Sequence, residues 1–105
     1  ATKAVVISLT KSAALDLARQ NIRVNAVNPG YIYSEIWSHG APDELSKTLV
    51  PMGRIGEADE AAAAYHFLAA DDSSYMTGSC MTVDGGLTVG PSIKTMKFLR
   101  DNTGE

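Results

Sequence analysis

Two strand-like segments separated by a helix-length segment constrain the fold of this chain most strongly. Residues 22–27 (IRVNAV) alternate with period two, and residues 80–83 (CMTV) form a second short β-type run. Between them, an alanine-rich segment from Glu57 to Leu68 or Ala70 has acids in its first turn and predicts a helix. A helix between two strands supplies the right-handed crossover that parallel pairing requires, so the sequence predicts a parallel α/β arrangement.

Three further segments complete the predicted organisation. Apolar residues at spacings of three and four predict a first helix through about Arg19. Its apolar stripe comprises Val5, Val6, Leu9, Ala13, Leu15, Leu17 and Ala18. After the breakers Gly40 and Pro42, residues 43–49 predict a short helix. Residues 90–105 form a mostly polar tail with a weak apolar spacing at Ile93, Met96 and Leu99.

Two parallel strands are too few for a complete sheet. Parallel sheets are normally covered on both faces and contain more strands, because an isolated pair leaves backbone groups unpaired and apolar side chains uncovered. The chain also begins at Ala1, directly in a helical pattern. We therefore expect upstream strands to be missing, although Thr2 as a helix N-cap would also fit a processed precursor.

Composition excludes several classes of partner. The net charge is -3, with nine Lys and Arg residues scattered among twelve acids, so neither nucleic acid nor a membrane surface is an expected partner. No apolar run approaches the roughly 20 residues needed to span a bilayer. Cys80 is the single cysteine and cannot form an internal disulfide, which favours a reducing, cytoplasmic compartment.

Five sequence motifs in order resemble the short-chain dehydrogenase/reductase family. They are residues 1–3 (ATK), 25–30 (NAVNPG), 53–56 (GRIG), 71–78 (DDSSYMTG) and 83–86 (VDGG). Each is weak by itself, but their order makes a chance similarity improbable. The resemblance implies that residues 1–89 are the C-terminal part of a Rossmann-like, doubly wound parallel sheet, with two strands and flanking helices remaining, followed by the tail at 90–105.

Lys3 carries the implied chemistry. In the family a Tyr-x-x-x-Lys pair transfers the proton, and the tyrosine would here lie two residues before Ala1. Residues four apart share a helix face, and an ammonium beside a phenol lowers its pKa from about 10 toward neutrality. Such a tyrosine exchanges the alcohol proton while the nicotinamide carries hydride. Lys3 would also bind the nicotinamide ribose; outside this motif it would be an ordinary solvated lysine.

The resemblance also assigns a cofactor-binding segment after the first strand. Pro29 and Gly30 end that strand where α/β proteins bind ligands, and Gly30 permits close backbone approach. Ile32 would contact the nicotinamide carboxamide through its backbone. Ser34 stands where the family more often has threonine and keeps the hydroxyl. Without the resemblance, the segment would be a strand-ending turn with a surface serine.

Residues 31–49 would be the substrate loop. Tyr33, Ile36 and Trp37 either line an apolar substrate pocket or pin the loop to the body, and the sequence favours neither reading. An apolar or cyclic alcohol or ketone, with a steroid as one example, is the expected substrate class.

Other chemically suggestive residues are expected to be structural or solvated. His39 and His66 lack the spacing of metal ligands, so no metal site is predicted. Cys80 is expected to pack as a small side chain. Asp84, in an Asp-Gly-Gly turn, is expected to be structural.

The leading hypothesis is an NAD- or NADP-dependent alcohol/carbonyl oxidoreductase whose intact form is a homodimer or homotetramer. The phosphate-binding glycine loop, the cofactor-selecting residue and the catalytic Ser and Tyr would lie outside this sequence, so this chain is expected to be inactive alone. A non-catalytic oligomerisation module and a partial gene product without a selected function are the rivals.

Overall fold

A computed structural model describes residues 2–33 and 44–102 of the chain. Its helices are α1 (Thr2–Leu17), α2 (Glu44–Leu49), α3 (Ala58–Ala69) and α4 (Ile93–Asp101). Its strands are β1 (Ala26–Pro29) and β2 (Cys80–Val83), which pair with each other in a two-stranded parallel sheet. Within the described ranges, no helix has the length and apolar character needed to cross a bilayer.

Helix α1 continues as a 3₁₀ turn from Ala18 to Gln20, so the helical segment ends close to the predicted end near Arg19. Asn21 then terminates it in the left-handed conformation, with φ 64° and ψ 31°. Asparagine tolerates this conformation better than most residues and commonly ends helices in this way. The amide of Ile22 closes the turn on the carbonyl of Leu17 at 3.3 Å.

The large residues of the predicted apolar stripe are not the buried face of α1. Leu9 is 64% exposed and Leu15 is 82% exposed, whereas Thr10 and Ala14, four residues apart, are buried. A Cβ on Gly78 would lie 3.5 Å from the Cβ of Ala14, so small residues allow close backbone approach here. A two-stranded sheet has too little apolar surface to cover the whole stripe, as expected above.

Strand β1 begins later than the sequence predicts. The alternation suggested a strand over 22–27, but the regular ladder starts at Ala26 and includes Asn28 and Pro29. Residues 23–25 instead contact the segment before β2 through single backbone bonds and side chains. The amide of Gly78 donates to the carbonyl of Val24 at 2.7 Å, and the amide of Ala26 donates to Ser79 at 2.9 Å.

Arg23 binds the end of α3 and the turn that follows it. Its Nη1 donates to the Ser73 carbonyl and Oγ, both at 3.0 Å, and to the Met76 carbonyl at 3.3 Å. Its Nη2 donates to the carbonyls of Leu68 and Ala70, at 3.0 and 3.3 Å. A guanidinium matches this site because the last carbonyls of a helix lack intrahelical donors and carry partial negative charge.

The side chain of Asn25 makes the hydrogen bonds that the backbone of a neighbouring strand would otherwise make. Its Nδ2 donates to the carbonyl of Met76 at 3.0 Å, and its Oδ1 accepts from the amide of Ser79 at 3.0 Å. One carboxamide can satisfy both groups because it offers donors and an acceptor together. Arg23 and Asn25 thus fix the entry to β1 before the ladder begins.

The remaining predicted elements agree closely with the structure. Helix α3 carries Asp59 and Glu60 in its first turn, and the segment at 71–73 that ends it is a 3₁₀ turn. Strand β2 has the predicted bounds. In the tail, a regular helix forms over Ile93–Asp101, with Ser92 as its N-cap. This helix was not predicted, because the tail is mostly polar and its apolar spacing is weak.

Contacts divide the chain into two compact units. The first comprises residues 1–28 and 59–83, and the second comprises residues 29–58 and 84–105. The first unit contains α1, α3 and most of the sheet. The second contains α2, α4 and an isolated parallel bridge between Ile32 and Gly56.

Candidate cofactor-binding segment

The segment that follows β1 is held by the bridge between Ile32 and Gly56. The amide of Gly56 donates to the carbonyl of Tyr31, and the amide of Tyr33 donates to the carbonyl of Gly56, both at 2.8 Å. Backbone groups of an extended chain alternate in direction, so the amide and carbonyl of Ile32 point away from Gly56. The backbone amide and carbonyl of Ile32 therefore both lie on the edge of the segment that faces away from Gly56.

Gly30 is required by internal packing. A Cβ at this position would lie 2.6 Å from the Cβ of Asp84 and 2.9 Å from its Cα. Asp84 has no freedom to move aside through its side chain, because the conflict involves its backbone. The sequence suggested glycine for approach to a cofactor, and the structure adds that Asp84 itself needs the space.

Asp84 organises the turn after β2. Its Oδ1 accepts from the amide of Gly86 at 2.9 Å. Its Oδ2 accepts from the amide of Thr88 at 2.9 Å and from the Thr88 hydroxyl at 2.7 Å. These bonds form a side-chain-stabilised turn, and they confirm the structural role predicted for Asp84.

The other predicted site residues are placed as follows. Lys3 lies in the first turn of α1, with an exposed side chain, and belongs to the first unit. Pro29 is the last residue of β1, and Tyr33 is 44% exposed. The positions Ser34, Ile36 and Trp37 lie outside the described residues. Continuous backbone brings Pro29, Gly30 and Ile32 together, and all three belong to the second unit.

Sequence reasoning missed the roles of Arg23, Asn25 and Ser73. Ser73 is 1% exposed, and its Oγ accepts from Arg23 while its one hydroxyl proton is shared between the carbonyls of Leu68 and Ala70. Two signals were available: Asn25 opens the motif at 25–30, and Ser73 lies within the motif at 71–78. Their partners lie roughly fifty positions away, so spacing along the chain could not identify them.

Residues with potential metal-binding chemistry are dispersed in the described part of the chain. No group of three His, Cys, Asp or Glu side chains there could hold a metal ion. His66 is exposed on α3, and Cys80 is half-buried in β2.

Comparison with known proteins places these features in one family. A family profile described as Enoyl-(Acyl carrier protein) reductase matches residues 1–88. The chain is 45% identical over 92 residues to the 3-oxoacyl-[acyl-carrier-protein] reductase FabG of Thermotoga maritima, covering 85% of this chain and 37% of that protein. The chain thus spans about a third of the length of the curated relatives it matches.

Two solved structures support the same assignment. A short-chain type dehydrogenase/reductase from Mycobacterium marinum is 46% identical with a TM-score of 0.74, covering 82% of this chain and 34% of that one. A 4-hydroxyisoleucine dehydrogenase mutant complexed with NADH and succinate is 30% identical with a TM-score of 0.78, covering 86% and 39%. The two-strand parallel sheet is thus part of a Rossmann-like fold, and the chain belongs to the short-chain dehydrogenase/reductase family.

Proposed function

We propose that the full-length protein carrying this chain is an NAD- or NADP-dependent oxidoreductase that interconverts an alcohol and a carbonyl compound. The observation that carries the proposal is the edge of Ile32, where the bridge to Gly56 leaves an amide donor and a carbonyl acceptor aligned together. A carboxamide such as that of nicotinamide needs both kinds of partner. The family membership and the relative complexed with NADH support this cofactor class.

The bound nicotinamide cofactor would supply the hydride acceptor or donor. Ile32 would orient its carboxamide, and the Gly30 turn would keep the adjoining backbone in position. Ser34 would add a hydroxyl to the same segment. These groups would bind and orient the cofactor, so their contribution to catalysis would be the positioning of the reacting atoms.

Lys3 would take part in proton transfer from the start of α1. Its exposed ammonium is available to a ligand, and a phenol placed four positions earlier would share its helix face. The ammonium would stabilise the phenolate form of that tyrosine, which then accepts or returns the alcohol proton. Since that tyrosine precedes Ala1, we propose that the 105-residue chain is inactive in isolation.

The substrate is proposed only as a small alcohol or ketone. The named relatives include an acyl-carrier-protein reductase and a 4-hydroxyisoleucine dehydrogenase, so family membership leaves substrate choice open. Tyr33, Ile36 and Trp37 remain the proposed lining or loop-anchoring residues. A cytoplasmic location remains proposed on the basis of the single cysteine.

A second candidate is an oligomerisation module. The exposed apolar side chains of Val5, Leu9 and Leu15 on α1 favour it, because burying such residues against another surface is favourable. In the intact oxidoreductase the same face would serve a homodimer or homotetramer. The two candidates therefore differ in whether nicotinamide cofactor is bound and turned over.

Substitution of Lys3 tests the oxidoreductase proposal. In the full-length protein, Lys3→Gln should lower kcat/KM for alcohol oxidation by about 100-fold or more, as expected for a lost proton-transfer partner. It should also shift the pH profile of kcat upward, since the tyrosine would lose its stabilising cation. Lys11→Gln on the same helix removes the same charge and should leave both quantities unchanged.

Equal activity of the two variants would contradict the role of Lys3. Absence of any nicotinamide-dependent turnover in the full-length protein, across a panel of alcohols and ketones, would instead favour the oligomerisation module. Turnover by the isolated 105-residue chain would refute its proposed inactivity.

A further inference from the structure

A cavity of about 430 Å³ lies within the second unit, between the end of α2 and the first turns of α4. Lys47, Thr48 and Val50 line it on one side, and Lys94, Thr95 and Phe98 line it on the other. This volume falls within the range of roughly 300–1,000 Å³ that small-molecule sites occupy. Helix α4 lies beyond the segment matched by the family profile, which ends at residue 88.

Among the described residues that line the cavity, every charged side chain is a cation. Lys47 and Lys94 contribute ammonium groups, and the described wall contains no Asp or Glu. This local bias is opposite to the net charge of -3 of the whole chain. Lys47 already has an interaction of its own, so Lys94 is the main candidate to contact a ligand.

The cavity floor is apolar and held in place. Val50 is 3% exposed, and a Cβ on Gly85 would lie 2.7 Å from its Cγ1. A Cβ on Gly86 would lie 3.0 Å from Pro51, so the following turn packs closely beneath the floor. The amide of Met52 also donates to the carbonyl of Gly85 at 3.1 Å. Phe98 adds a ring that is 62% exposed, which offers apolar surface to a ligand.

Hydroxyl groups fix the α4 wall against α2. The Ser92 Oγ accepts from the amide of Thr95 and donates to the Thr95 Oγ1, both at 3.0 Å. The Thr95 Oγ1 in turn donates to the carbonyl of Thr48 at 3.3 Å. A wall ordered in advance lowers the entropic cost of binding a ligand.

We propose that this cavity binds a small organic anion, a carboxylate on an apolar chain. Lys94 contacts the carboxylate, and the chain lies over Val50, Pro51 and Phe98. The lining residues are separate from Lys3 and the Pro29–Ser34 segment, whereas Lys47 and Thr48 lie at the end of the proposed substrate loop at 31–49. The proposal is therefore tested by ligand affinity alone, which can succeed or fail independently of turnover.

Binding of hexanoate to the full-length protein tests the proposal, with hexanamide as a neutral ligand of the same length. Calorimetry should detect hexanoate binding that weakens as salt is added, and hexanamide should bind at least about fivefold more weakly. Lys94→Gln should reduce hexanoate affinity about fivefold. Lys97→Gln makes the same charge change on α4 outside the described cavity lining and should preserve the affinity. Matching thermal unfolding midpoints would show that both variants fold.

Four outcomes would overturn the assignment. Hexanamide binding as tightly as hexanoate would show that the carboxylate charge does not contribute to binding. Equal losses in the two lysine variants would indicate general attraction of anions to α4 rather than a site at Lys94. If hexanoate does not bind at millimolar concentration, the cavity is not a carboxylate site. The same conclusion follows if Lys94→Gln leaves hexanoate binding unchanged.

Discussion

Replacement of Arg23 by methionine should destabilise the first unit by about 2–4 kcal/mol. The side chain makes five hydrogen bonds, to Leu68, Ala70, Ser73 and Met76. At about 1 kcal/mol net for an uncharged hydrogen bond, the five bonds would sum to about 5 kcal/mol, and the charge of the guanidinium would raise that sum. Methionine keeps much of the aliphatic stem, so packing losses are small.

The full loss is not reached because each of the four carbonyl acceptors retains another donor. The Leu68 carbonyl still accepts from the Ser73 Oγ at 3.0 Å, and the Ala70 carbonyl still accepts from the amide of Ser73 at 3.2 Å. The Ser73 carbonyl still accepts from the amide of Met76 at 2.9 Å, and the Met76 carbonyl accepts from Asn25 at 3.0 Å. No carbonyl is left wholly unsatisfied, so the largest penalty for an orphaned buried group is avoided.

Urea unfolding of the full-length protein, combined with amide hydrogen exchange over residues 68–79, measures the effect. Arg23→Met should lower the unfolding midpoint and accelerate exchange in that segment, while Arg23→Lys should lie between it and the parent because an ammonium cannot reach all the acceptors. Arg19→Met, at an exposed position on the 3₁₀ turn, is the matched control and should cost less than about 0.5 kcal/mol. An Arg23→Met midpoint equal to that of the control would refute the capping role.

Two further substitutions test the turn around Asp84. Gly30→Ala should lower Tm by an amount equivalent to about 1–3 kcal/mol, because its Cβ would meet the backbone of Asp84 at 2.9 Å. Gly53→Ala, where φ is +77° and no atom lies within 4 Å of the added Cβ, should cost only about 1 kcal/mol; an equal loss would contradict the steric explanation. Asp84→Ala should cost about 1–3 kcal/mol through the lost bonds to Gly86 and Thr88. Asp84→Asn should recover part of that loss in a thermal melt, and no difference between the two would count against the hydrogen-bonded turn.

Local patterns predicted the regular elements well. The 3.6-residue spacing indicated α1, the acids at Asp59 and Glu60 marked the start of α3, and β2 has the predicted bounds. These elements can be predicted from sequence because helix hydrogen bonds join residues close in sequence. The alternation of apolar and polar residues in a strand is likewise a local pattern. The tail helix α4 was not predicted, since its cap at Ser92 and its apolar spacing are weak signals in a polar segment.

The proposed cofactor segment has structural contacts that the sequence did not predict. The motif at 25–30 identified Pro29 and Gly30 as proposed cofactor residues, but it did not predict that Asp84, 54 positions later, approaches Gly30 too closely for any residue with a Cβ. The orientation of Ile32 likewise depends on pairing with Gly56. Spacing within a motif carries no information about a partner in another segment.

By itself, the sequence determined the order of helices and strands from α1 to β2, the resemblance to the short-chain dehydrogenase/reductase family and the positions of the proposed cofactor residues. Tertiary structure decided where β1 begins, why Arg23 and Asn25 are needed, and how α4 meets α2 to form a cavity. The physical reason is that local periodicity selects backbone conformation, whereas these features arise from hydrogen bonds and steric contacts between distant segments.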